Sequence, residues 1–225
     1  MTLARRLVGE GIATALLLAT VVGSGIMGER LAGGSVGLAL LANSIATGAA
    51  LVALILAFGP ISGAHMNPVV SLADALRGRH SWPQAASYAV TQVLGAVVGT
   101  GTANLMFSEP VFALSRHARS GGAQVLSEFV ATFGLLGVIL GCSRVGPTAV
   151  ALAVGAYISA AYWFTASTSF ANPAVTLARS LTDTFAGIRP VDVPGFIAAQ
   201  ITGAVAATAV FGWLLAGDAS KEHTR

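Results

Sequence analysis

The ten residues MNPVVSLADA, Met66 to Ala75, return near the end of the chain as ANPAVTLARS, Ala171 to Ser180. The two stretches share Asn-Pro, a β-branched residue three positions after the Asn, and a following Leu-Ala. They do not repeat alone. Glu-x-x-Ala-Thr occurs at Glu10, Ala13 and Thr14, and again at Glu128, Ala131 and Thr132. Gln-x-x-Gly-Ala occurs at Gln92, Gly95 and Ala96, and again at Gln200, Gly203 and Ala204. Three matches in the same order mean that any fold for this chain uses one unit twice.

The solvent of that unit follows from composition. Charged residues are 9% of the chain and hydrophobic residues 55%, with a mean hydropathy of +0.78. A water-soluble domain covers itself with about 25–35% charged residues at its surface, so lipid is the expected surroundings. Six apolar runs, about Leu7–Met27, Ser35–Phe58, Pro83–Met106, Val125–Cys142, Pro147–Phe164 and Pro194–Leu215, each meet the length of a spanning helix. Each Asn-Pro stretch lies between the second and third run of its half and is too short to cross. Asn followed by Pro is a helix start, because Asn caps and Pro needs no amide partner. Half-length helices are therefore predicted over Val69–Leu76 and Val175–Leu181. With three spans per half, the halves enter the membrane from opposite sides, an inverted repeat. The expected fold class is an all-α membrane protein with six transmembrane helices and two re-entrant half-helices. It forms one channel domain over 1–225, with half-repeats at about 1–107 and 122–218 joined by a long loop at about 108–121.

Several functions are excluded. A net charge of +3 carries no basic stripe or RNA-binding motif, so nucleic acid is no partner. The single cysteine, Cys142, rules out an internal disulfide framework. Four histidines without His-x-x-His or Glu-x-x-His spacing predict neither a metal site nor a cofactor. The first apolar run lacks a cleavage pattern and reads as a span. Arg5, Arg6, Arg77, Arg79, Arg144, Lys221 and Arg225 fall on one side. Arg30, Arg116, Arg119 and Arg189 fall on the other, which favours both termini in the cytoplasm.

Two half-helices that start at Asn67 and Asn172 bring two positive dipole ends to one point near mid-bilayer. Each Asn caps its helix with its oxygen and has NH2 donors for a lumen. A water or alcohol oxygen arriving there accepts from both, which disfavours proton relay, and the field repels cations.

SGAHMNPVVS (Ser62 to Ser71) and ANPAVTLARS, together with the Glu and Gln repeats, resemble the aquaporin and aquaglyceroporin family over nearly the whole chain. The resemblance implies a pore through each protomer, a homotetramer, and passive diffusion of water or small neutral solutes; the chain is not expected to be an enzyme. It marks Asn67, Pro68, Val69 and Asn172, Pro173, Ala174 as the paired pore boxes. Val69 stands where the family usually has Ala, and Val175 where most members carry a filter Arg. Counting from the two Asn residues carries the remaining filter positions to Thr47, Ala160 (with Ser159 its neighbour) and Ser169. These four residues make a wide, uncharged constriction suited to polyols. The Val-for-Arg pattern resembles a bacterial, arsenic-associated subgroup, the aquaporin S type. That implies passage of arsenite, a neutral triol, and methylated arsenicals, across a bacterial inner membrane. A Ser at position 169, where many water channels place Cys, suits a thiol-capturing solute.

Arg179 lies one helical turn beyond Val175 and is expected to lean back toward the filter from the vestibule, with Asp74 in the mirrored position. Glu10 and Glu128, with Gln92 and Gln200, are expected to bond the backbone of the re-entrant loops. His65 is expected to bond loop backbone near the cytoplasmic vestibule. Arg116, His117 and Arg119 read as a solvated charge cluster, and Gly95, Ala96, Gly99, Gly203 and Ala204 as close helix crossings. The alternatives are a general glycerol and water facilitator without an arsenic role, an ion-coupled transporter built on the same inverted repeat, and a structural protein with an occluded lumen.

Overall fold

The computed structural model describes residues 1–216, and every regular element among them is helical. Lys221, Arg225 and the last two residues of the expected second half lie outside the described residues. The order long, long, short, long occurs twice. The first set is α1 (Leu3–Leu31), α2 (Val36–Ser62), α3 (Pro68–Leu76) and α4 (Trp82–Met106). The second is α5 (Gly122–Cys142), α6 (Pro147–Phe164), α7 (Pro173–Arg179) and α8 (Val193–Ala216), with a short 3-10 turn at Pro190–Asp192 before α8.

Caps set most of these boundaries. The Thr2, Ser35 and Ser81 side chains accept from the backbone N–H three residues on and start α1, α2 and α4. The α1 helix thus begins at Leu3 rather than Leu7, because its first turn carries Arg5 and Arg6, which an apolar run does not detect. Pro at the first turn starts α6 at Pro147, as predicted. Among the described residues, five helices are by length and composition apolar enough to cross a membrane; α4, at 25 residues, is not among them. At 25 residues α4 nonetheless has the length of a span. The α4 helix spends polar residues inward: Gln92 and Asn104 are both buried, and Asn104 donates to Val111 O at 2.9 Å and accepts from Thr182 Oγ1 at 2.9 Å.

The helices approach through small residues. A Cβ on Gly95 would lie 2.4 Å from Gly11 O, and one on Gly99 2.1 Å from Ala15 O, so α1 and α4 meet backbone to backbone. Gly203 does the same for α8 against α5, 2.7 Å from Phe129 O. The α2–α6 seam between the halves uses Gly48 and Gly155, a pair that local sequence gave no reason to match. Outward faces carry exposed Leu94, Val98 and Leu126 and suit hydrocarbon. Both short helices start in the interior from an Asn in extended conformation, with Pro in their first turn.

Candidate functional site

The chain leading into each half-helix is non-helical and strained. Ala64 and Met66 before Asn67, and Thr168, Ser169 and Ala171 before Asn172, all have φ between 48° and 63°. Such left-handed backbone costs about 1 kcal/mol or more per non-Gly residue and persists only where neighbours enforce it. Buried acids do that here. The Glu10 carboxyl accepts from His65 N (2.9 Å), Met66 N (2.8 Å), Ser62 Oγ (2.7 Å) and Gln92 Nε2 (2.8 Å). Glu128 accepts from Phe170 N (2.9 Å), Ala171 N (2.8 Å) and Gln200 Nε2 (2.6 Å). Each Gln also donates into its half-helix, Gln92 to Ser71 Oγ at 3.2 Å and Gln200 to Thr176 Oγ1 at 2.8 Å. An acid on the first span and an amide on the last of each half therefore hold the loop between them.

Asn67 Oδ1 accepts from Val69 N at 3.1 Å, and Asn172 Oδ1 from Ala174 N at 2.9 Å and Val175 N at 3.3 Å. The amide groups cross over: Asn67 Nδ2 donates to Ala171 O at 2.8 Å, and Asn172 Nδ2 to Met66 O at 2.7 Å. Each Asn thus commits one of its two N–H groups to the opposite half and keeps one for the lumen, which corrects the expectation that the whole NH2 group is free. Pro68 and Pro173 occupy the first helical positions, while Val69 and Ala174 are buried at 1% and 0% exposure.

Both Asn residues line a cavity of about 630 Å³ that reaches from His65, Asp74 and Arg79 at one end to Val175 and Arg179 at the other. Its walls are mainly aliphatic. Thr47, Ser169 and Val175 line it and lie within 5% exposure. Among the described residues the Ser169 hydroxyl has no hydrogen-bond partner and is buried behind the cavity surface. Ala160 does not line the cavity; it sits on the exposed face of α6. Ile158 and Tyr162 hold the lumen positions, one turn of helix apart. The count from Asn172 failed because an error of two residues on a helix turns a side chain by about 200°. The neighbouring Ser159 bonds Gly155 O and Ser44 O in the α2–α6 seam. Tyr162, which no motif or spacing marks, shares a 3.1 Å hydrogen bond with Thr47 across that seam.

Arg179 is 2% exposed, lines the cavity, and lies 3.4 Å above the centroid of the Phe170 ring. Its Nε donates to Ala186 O. Arg119 joins it on the same ring at 5.1 Å and donates from Nε to Gly187 O at 2.8 Å. The solvated cluster expected after α4 is therefore corrected. Arg116 is exposed, but Arg119 is 8% exposed, and burial pushes its guanidinium down to about 10, with Tyr162 and Glu128 acting in the opposite direction. Its partners lie far along the chain, in the loops before and after α7, and no local spacing predicts them. At the other end His65 Nε2 stands 3.4 Å from Asp74 Oδ2.

An inverted pair of half-helices meeting Asn to Asn inside a ring of spanning helices, around a continuous cavity, defines an integral membrane channel of the aquaporin fold. The Major intrinsic protein family model matches residues 1–146 and 142–224, and the chain belongs to that family, whose members are channels and not enzymes. It is 56% identical over 213 residues to Aquaglyceroporin AqpS of Rhizobium meliloti (strain 1021), covering 95% of this chain and 91% of the relative. Aquaporin NIP1-1 of Oryza sativa subsp. japonica is 36% identical over 163 residues, 70% of this chain and 56% of that protein. The X-ray structure of the aquaglyceroporin from Plasmodium falciparum superposes with a TM-score of 0.76 at 20% identity, over 96% of this chain and 98% of the other, a likeness of fold. The protein is an aquaglyceroporin-type channel for water and small solutes.

Proposed function

We propose that this channel passes small neutral hydroxylated solutes, polyols and arsenite among them, along with water, through a filter that lacks the usual arginine. The observation that carries this is Val175, a buried valine on the cavity wall where a guanidinium would narrow the path. Opposing hydroxyls fit the same reading. Thr47 and Tyr162 form a linked pair, so a polyol meets two hydroxyl-bearing side chains on an otherwise aliphatic wall. Arsenite is a neutral triol that thiols capture, and Cys142 is not among the cavity-lining residues. Methylated arsenicals are included only in their neutral forms.

Cation exclusion rests on two features in this reading. The N-termini of α3 and α7 aim their positive ends at the lumen centre, where each Asn offers one N–H. Arg119 and Arg179 then set a second positive zone around Phe170 at the outer mouth, a displaced substitute for the missing filter charge. The assembly that fits is a homotetramer of two-fold repeated protomers, divided at about 1–107 and 122–218. It sits in a bacterial inner membrane with both termini cytoplasmic. The test is stopped-flow flux in proteoliposomes with water, glycerol, larger polyols and arsenite in one preparation. Glycerol and arsenite flux well above empty vesicles is expected; water flux alone would overturn the reading.

A further inference from the structure

His65, Asp74 and His80 each offer one ligand atom, and these atoms all lie within 4.8 Å of one another. They come from the strained loop, the last turn of α3 and the connection to α4, so no local spacing announces them.

Hydrogen-bond roles give this cluster a form that can take a cation. The Ser71 hydroxyl donates to Asn67 O at 3.4 Å and accepts from Gln92 Nε2. Its second lone pair accepts from His65 Nδ1, 3.0 Å away, in the tautomer of neutral His65 that carries its proton on Nδ1. In that tautomer the lone pair of Nε2 faces Asp74 Oδ2 at 3.4 Å, whereas in the other tautomer or the imidazolium Nε2–H donates to the carboxylate, and a metal ion takes the place of that proton. That separation matches two ligands of a tetrahedral zinc ion, each about 2.0–2.1 Å from the metal. Ser71, behind His65, accepts from Nδ1–H in that tautomer and so leaves Nε2 for the metal. His80 stacks on His65 with centroids 5.0 Å apart, and its buried Nδ1 has no hydrogen-bond partner. The C-terminal end of α3 adds a favourable negative dipole. Opposing the ion is Arg6, whose Nη2 holds His80 Nε2 at 2.9 Å. Because a guanidinium only donates, that contact occupies the Nε2 lone pair, so an ion takes His80 either by displacing Arg6 from Nε2 or by replacing the proton on the unpartnered Nδ1.

We infer that His65, Asp74 and His80 form a binding site for a borderline divalent transition ion such as Zn²⁺, with water in the fourth position. His65 and Asp74 line the pore, so the bound ion obstructs the α3 mouth. Obstruction rests on the channel reading above; binding does not. Full-length, tag-free, metal-stripped protein in detergent, carrying Cys142→Ser to remove the thiol, is titrated with Zn²⁺ and separately with Co²⁺. One ion per protomer and a tetrahedral Co²⁺ ligand-field spectrum are expected. His80→Ala and Asp74→Asn each weaken Zn²⁺ by at least about 10-fold, whereas Arg6→Ala, which removes the competitor, tightens it. Opposite signs separate ligation from general misfolding. Failure to saturate at one ion per protomer, or binding indifferent to both ligand variants, overturns the site and leaves His65–Asp74 bridged by a proton only. In proteoliposomes, glycerol flux should fall with Zn²⁺ on the α3 side and recover with chelator. Flux unchanged by bound Zn²⁺ overturns the obstruction, while absent flux in metal-free protein overturns the channel reading and leaves binding intact.

Discussion

The two halves agree at their centre and diverge at their mouths. Glu10 with Gln92 and Ser71, and Glu128 with Gln200 and Thr176, make the same hydrogen bonds to the same points of the two loops. About two turns past the shared Asn residues, the first half ends in Asp74 beside His65, partly exposed, and the second in Arg179, buried on Phe170. The pins must match because two half-helices have to meet end to end. The mouths face different compartments and are free to differ.

Breaking a pin tests the shared part and should have the largest effect. Glu128→Ala strands the Phe170 and Ala171 N–H groups and the Gln200 amide in the interior. Each buried donor left unpaired costs about 1–3 kcal/mol, so a loss of several kcal/mol is expected. Thermal unfolding of purified protein should show a large drop or failure to recover folded protein. Glu10→Ala should behave alike, since Glu10 accepts one bond more. A Glu128→Ala protein as stable and active as wild type would show that the loops hold themselves.

At the outer mouth, Val175→Arg restores a guanidinium to the cavity wall. Polyol flux should fall by at least about 10-fold, equivalent to roughly 1.4 kcal/mol of added barrier, with water flux falling less. Equal losses for all solutes would point to a blocked or misfolded pore. Smaller still should be Arg179→Ala, which exposes the face of Phe170 and leaves Ala186 O without its donor. A stability loss of about 1–2 kcal/mol is expected from the lost cation–π contact and hydrogen bond. Raised cation leak in vesicles is expected alongside it. If both solute flux and ion leak stay at wild-type values, the displaced-charge role of Arg179 is wrong.

What the sequence could reveal was periodic or local. Pro147–Phe164 was legible because Pro marks a start, and the two Asn residues because Asn-Pro caps a helix wherever it lies. Arg119 was not legible, since the carbonyls that bury it come from residues 167 to 187 and the sequence shows only a cluster of cations in a loop. The cross-bonds of Asn67 to Ala171 and Asn172 to Met66 likewise exist only once the halves are inverted and joined. The His65, Asp74 and His80 grouping needs the chain to turn back after α3 before its three ligands meet.

Ala160 gives the smallest expected effect and so the sharpest control on the outer mouth. It lies on the exposed face of α6, two residues from both Ile158 and Tyr162, which line the lumen. Ala160→Phe adds apolar bulk toward lipid, where an aromatic ring is at home, and should leave water, glycerol and arsenite flux unchanged. Tyr162→Phe keeps the bulk but removes the hydroxyl bonded to Thr47, so it should shift the ratio of polyol to water flux. Were the effects reversed, with Ala160→Phe closing the pore and Tyr162→Phe silent, α6 would have to be rotated by about half a turn from its position here. The Thr47–Tyr162 pair and the Ser159 bonds to α2 could not survive that rotation, so the flux of one alanine variant tests the register of the whole α2–α6 seam.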